Sequence, residues 1–101
     1  MTIASSIVSG NRVVTTAGTQ VQLVLSTTVT SEWVVITAAP ANTGRITVGD
    51  ANVDATADAE AGITLGPGDS VSLPVRNLSS VWIDSTVSGD EVGYLYGTSV
   101  A

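Results

Sequence analysis

Apolar and polar residues alternate in short runs along this chain, and Gly, Pro, Asn and Ser punctuate the runs every eight to twelve residues. Residues 20–25 (QVQLVL) place Val21, Leu23 and Leu25 on one side and Gln20 and Gln22 on the other, with Val24 breaking the rule. Such a period of two is that of a half-buried antiparallel strand. Residues 45–49 (RITVG) likewise turn Ile46 and Val48 inward, and residues 70–75 (SVSLPV) put Val71, Leu73 and Val75 on one face. Between Val81 and Asp84 the alternation sets Val81 and Ile83 against Trp82 and Asp84. Residues 92–96 (VGYLY) predict a last strand, and the β-branched run 12–16 an early one. Residues 32–39 (EWVVITAA) are apolar on both faces, which predicts either a central strand or one whose outer face meets another subunit.

The breaks have turn chemistry of their own. Gly66-Pro67-Gly68-Asp69 joins a proline that presets φ to glycines free to adopt positive φ. Asn77-Leu78-Ser79-Ser80 and Ser88-Gly89-Asp90 interrupt the alternation before the last two strands. No window has a helical period, and residues 57–61 allow one helical turn at most. The expectation is an all-β fold: a single-domain antiparallel β-sandwich, jelly-roll-like. Residues 1–12 are expected to be an N-terminal arm or edge strand, with 1–10 the candidate arm, and residues 13–101 the sandwich.

At 101 residues and 10.2 kDa the chain has room for one modest core. Hydrophobic residues make up 44% but aromatics only 4%, so Val, Ile, Leu and Ala must fill that core. A mean hydropathy of +0.40 is more apolar surface than one small core consumes, which points to burial between subunits. Residues 1–8 lack the basic stretch and continuous apolar run of a signal peptide.

Charge and missing residue types narrow the chemistry. Three arginines (Arg12, Arg45 and Arg76), no Lys and nine acids give a net charge of −6. Nucleic acid and anionic membrane are poor partners for such a surface. Neither His nor Lys is present to activate a serine, and no Cys is present as nucleophile or disulfide. Gly66-Pro67-Gly68 has no following Lys and loses one amide donor at Pro67, so it is no phosphate loop.

Residues 50–61 begin like a calcium loop, with Asp50, Asn52 and Asp54 in the D-x-[DN]-x-[DN] ladder. The sixth position is Ala55 where the turn needs Gly, and Glu60 falls one residue before the required twelfth. No metal site and no cofactor are expected. Asp84, Asp90 and Glu91 are the carboxylates near strand ends that glycoside hydrolysis could use, but Asp beside Gly is ordinary turn usage. The chain is read as a non-enzyme. Trp82, Tyr94 and Tyr96, with Val34 and Ile36 from the two-faced strand, are the candidate interface residues, because Trp and Tyr anchor protein contacts.

Three segments carry a resemblance: N-T-G-R-I-T-V-G-D (42–50), G-I-T-L-G-P-G-D-S-V-S-L (62–73) and V-W-I-D-S-T-V-S-G-D-E-V-G-Y-L-Y-G (81–97). In this order, with A-G-T-Q-V-Q-L (17–23) upstream, they resemble small all-β virion structural proteins of tailed bacteriophages. The chain departs from that pattern at Thr64, where Pro is common, and in an acidic stretch at 53–60 that looks inserted. The resemblance implies a structural part of a phage particle, foremost a capsid decoration or cement protein stabilising the head. Tail or fibre component and carbohydrate-binding attachment module are the alternatives. It also implies a homotrimer, the phage major capsid protein as partner, and a location in the virion after assembly in the host cytoplasm.

Overall fold

The computed structural model describes residues 6–25, 30–56 and 60–98. Its strands are β1 (Ser6–Val13), β2 (Val21–Gln22), β3 (Trp33–Ala38), β4 (Ile46–Gly49), β5 (Ile63–Leu65), β6 (Ser70–Leu73), β7 (Trp82–Ser85) and β8 (Glu91–Thr98). One sheet (sheet A) runs β1-β8-β3-β6 and the other (sheet B) β2-β7-β4-β5, with every pairing antiparallel. The pairs β1–β8, β2–β7, β3–β6 and β4–β5 are those of one long hairpin with its tip at β4–β5. Rolled into two layers, that hairpin is a jelly roll, the all-β sandwich the alternation predicts.

The core lies between the sheets, filled as period two requires. Val34, Ile36 and Ala38 face it from β3, Val92 and Tyr96 from β8, Ile46 and Val48 from β4, and Ile83 from β7. Val71, Leu73 and Val75 pack against it together, as their alternation predicts. The 66–69 turn forms with Gly68 at φ +85°, an Asp69 amide bond to the Gly66 carbonyl and an Asp69 carboxylate bond from the Gly66 amide. The chain's short helical element is a 3-10 turn, Leu78–Ser80, whose Leu78 plugs the core.

Several expectations need correction. The early strand lies at Ser6–Val13, so residues 14–16 belong to the following turn, and β1 crosses the expected boundary at residue 12 as the edge strand of sheet A. Of the arm expected at 1–10, residues 1–5 lie outside the described residues. The strand expected at 20–25 ends at Gln22. Leu23 is then buried and Val24 packs beside it, while Leu25 is 67% exposed, because the chain leaves the sheet before its alternation completes. Of residues 57–61, which allow one helical turn at most, 57–59 lie outside the described residues.

Candidate functional site

The two outward faces of the sandwich are treated differently by the chain. Over sheet B, residues 50–56 and 60–62 are joined by paired hydrogen bonds between Asp54 and Ala61. They bury Val53 and Ala55. Gly62 lets them lie flat at φ +124°, where a Cβ would come within 2.4 Å of the Val48 carbonyl. Beneath them Thr47 and its register partner Asp84 are buried on the outward side of β4 and β7. Asp84 is 1% exposed, and its carboxylate accepts the backbone amides of Gly18 (3.0 Å), Ala55 (3.0 Å) and Ser85 (2.8 Å). It therefore ties the 14–20 turn and the 50–62 loop onto sheet B.

Asp90 does the same at one end of the sandwich, accepting the amides of Thr43 (3.2 Å) and Gly44 (2.9 Å). The carboxylates of Asp50 and Asp54 close turns by accepting the amides of Asn52 and Thr56. Thr56, through its hydroxyl first and its amide second, holds the Asp54 carboxyl below the usual carboxylate range. Among the described residues no three carboxylates gather as a metal would require. A depression of about 350 Å³ beside Asp84 is lined, among the described residues, by Ala17, Gly18, Ala55, Thr56, Ser85 and Thr86. A groove of about 430 Å³ between the β5 and β6 edges is lined mainly by Val48, Ile63, Leu73, Pro74, Val75 and Val81, with Asp50 the one acid among the described residues. Of the acids that sequence suggests for chemistry, Asp84 and Asp90 are thus spent on backbone amides, and the Glu91 carboxylate accepts from the Asn11 side chain.

Among the described residues, none lies over sheet A in this way. Its outward positions follow from the register. Ile7 and Trp33 flank Gly97, and Ser9 and Val35 flank Leu95. Asn11 and Thr37 flank Gly93, and Val13 stands opposite Glu91. From β6, Ser72 and Ser70 stand opposite Val35 and Thr37, and among the described residues Glu91 is the one charge across this face, bonded to Asn11 Nδ2 at 3.4 Å. Ile7 is 64% exposed, and Val35 and Leu95 are half-buried side by side. Gly93 leaves a notch beside them, since an added Cβ would come no nearer than 4.0 Å to any other heavy atom. No packing against the described residues demands glycine there.

The expected interface residues do not gather on this face. Val34 and Ile36 are fully enclosed in the chain's own core, because they are the inward members of β3; its outward members are Trp33, Val35 and Thr37. Tyr96 also lies in the core, and Tyr94 stacks on it with ring centres 6.1 Å apart. Gly10 is small because Tyr94 covers it: an added Cβ would stand 2.5 Å from the phenol oxygen. Trp82 is half-buried on sheet B, between Gln22 and Gly49 in register. Two-faced hydrophobicity in residues 33–38 was the signal for the bare face, and the even-numbered residues were the wrong half to follow. No protein-family model, curated protein or solved structure matches this chain.

Proposed function

We propose that this protein is a structural subunit of a tailed-phage virion, a capsid decoration protein that lies on the head shell through the outer face of sheet A. One observation carries the reading: the described residues cover one outward face with loops and leave the other uncovered and nearly uncharged, with Ile7, Trp33, Val35 and Leu95 set among small polar residues. On a chain of net charge −6, such a face is where an extensive contact costs least in desolvated charge. The resemblance of residues 42–50, 62–73 and 81–97 to virion proteins supplies the setting. The spent carboxylates and the lack of His, Cys and Lys suit a protein whose work is binding. A glycan platform has less support, because Trp33 and Trp82 belong to different sheets and Tyr94 and Tyr96 turn inward.

The test is co-sedimentation with heads of the encoding phage prepared without this protein. The natural chain is expected to sediment with the heads, and Val35→Glu, which places a carboxylate in the middle of the face, to bind at least about tenfold more weakly. Equal binding by the variant, or none by the natural chain, overturns the reading.

A further inference from the structure

Each sheet has two edges, and three of the four are blunted. β2 is two residues long and β5 three, while β6 runs four residues into Pro74. β1 is different: eight residues, SIVSGNRV, with no proline, no acid and no lysine. Long, uncharged edges invite another strand, and proteins ordinarily block them with such residues or with bulges.

The hydrogen-bond phase of β1 shows what that edge offers. The Val14 amide donates to the Asp90 carbonyl and the Gly89 amide to the Val14 carbonyl, so Val14 faces the β8 side. Alternation then turns Arg12, Gly10, Val8 and Ser6 toward β8 and Val13, Asn11, Ser9 and Ile7 away from it. The far side of β8 agrees. The Glu32 amide donates to the Gly97 carbonyl and the Ala39 amide to the Glu91 carbonyl, so the odd residues of β8 serve β3. Four amides and four carbonyls, at residues 7, 9, 11 and 13, therefore point outward, and no described residue pairs with them.

We propose that this edge pairs with β1 of a second copy about a two-fold axis at Gly10, joining two sheets A into one of eight strands. The choice of a second copy rests on the outward-bonding residues of β1, the odd ones, reading alike in both directions; of the even ones, Val8 would stand opposite the Arg12 position. A β-branched residue stands at each end (Ile7, Val13), a small polar one inside each (Ser9, Asn11), and glycine at the centre. An isologous contact requires that self-complementarity. In this register Ile7 stands opposite the partner's Val13, and Ser9 opposite the partner's Asn11, in hydrogen-bonded pairs. The exposed apolar side chains Ile7, Val8 and Val13 gain neighbours, and all eight backbone groups are used. Arg12, bonded through Nε to the Gln22 carbonyl at 2.8 Å, is the one charge of β1, and Glu91 on the neighbouring strand is held by the Asn11 side chain. The pairing needs no phage head: a dimer that ignores heads leaves it standing and sinks the decoration reading, and head binding by a monomer does the reverse.

Light scattering at about 0.1 mM, above the micromolar dissociation constant expected of a small interface, should give twice the 10.2 kDa chain mass. Ser9→Pro removes an outward amide that no bond within the chain uses, and Ile7→Lys places a charge on the edge. Each should return the mass to that of one chain while the circular dichroism spectrum stays that of the folded protein. Register is read by oxidation, with no native cysteine to interfere. Mixed Ser9→Cys and Asn11→Cys chains, about 5.5 Å apart at Cα, should cross-link several-fold more than either chain alone. A monomer or trimer in the natural chain, a dimer indifferent to both edge variants, or cross-linking equal in the unmixed chains overturns the proposal.

Discussion

Replacing Asp84 by Ala tests whether this carboxylate serves the fold or a reaction. The substitution removes the acceptor of two amides from distant loops, Gly18 and Ala55, besides that of the adjacent Ser85. Ala55 is 2% exposed, so its amide has no water to turn to; a charge-assisted bond in such a place is worth about 2 kcal/mol. Gly18 is exposed and water replaces much of its bond, leaving about 1 kcal/mol. A total near 3 kcal/mol lowers the melting temperature of a domain this size by about 12–24 °C. Calorimetry reads that shift, and amide exchange reads its cause, since Ala55 should lose protection before the strands do. Asp84→Asn, which keeps one acceptor oxygen but turns an NH₂ toward a donor, should fall between. A drop under about 4 °C with the Ala55 amide still protected would refute the stapling role. A carboxylate held for catalysis would give the opposite sign, because such residues are commonly kept at a cost in stability.

Other outcomes follow from the same contacts. Asp54 should titrate below about 3.9, the value of an unperturbed Asp, because Thr56 bonds its charged form. With the folded value depressed, its stabilising effect is present above the ordinary value and lost as pH falls through the lower one. Carboxyl NMR shifts follow this, and a midpoint at or above 3.9 would remove the Thr56 contact from the account. A calcium chelator should leave the melting temperature unchanged, since Asp50 and Asp54 already close their own turns; a fall above about 5 °C would reveal a site.

Period-two alternation made the sandwich legible because one face of each strand is turned to the core and carries its large apolar side chains. Val71, Leu73 and Val75, or Ile46 and Val48, could be assigned without knowing their partners. It failed at Leu25, where the strand stops before the pattern does. Residues 33–38 revealed that β3 had two apolar faces but not which one looks outward, since parity against the core is fixed only by packing. Val34 and Ile36 were therefore the wrong members of a correctly identified strand. Trp82, Tyr94 and Tyr96 drew notice by residue type, yet Tyr96 fills the core, Tyr94 shields Gly10, and Trp82 sits on the loop-covered sheet. The roles of Asp84 and Asp90 are invisible in sequence because their partners lie 29 to 66 and 46 to 47 residues away. The unblocked edge of β1 was written in SIVSGNRV, but only the phase of its bonds to β8 shows which groups are left over.

Immunogold labelling of particles, with antibody raised against the purified chain, tests the central claim most directly. Particles released from the host that carries the gene should bear gold distributed over their heads. Gold confined to tails would move the protein to the tail, and particles without gold would contradict a place in the virion.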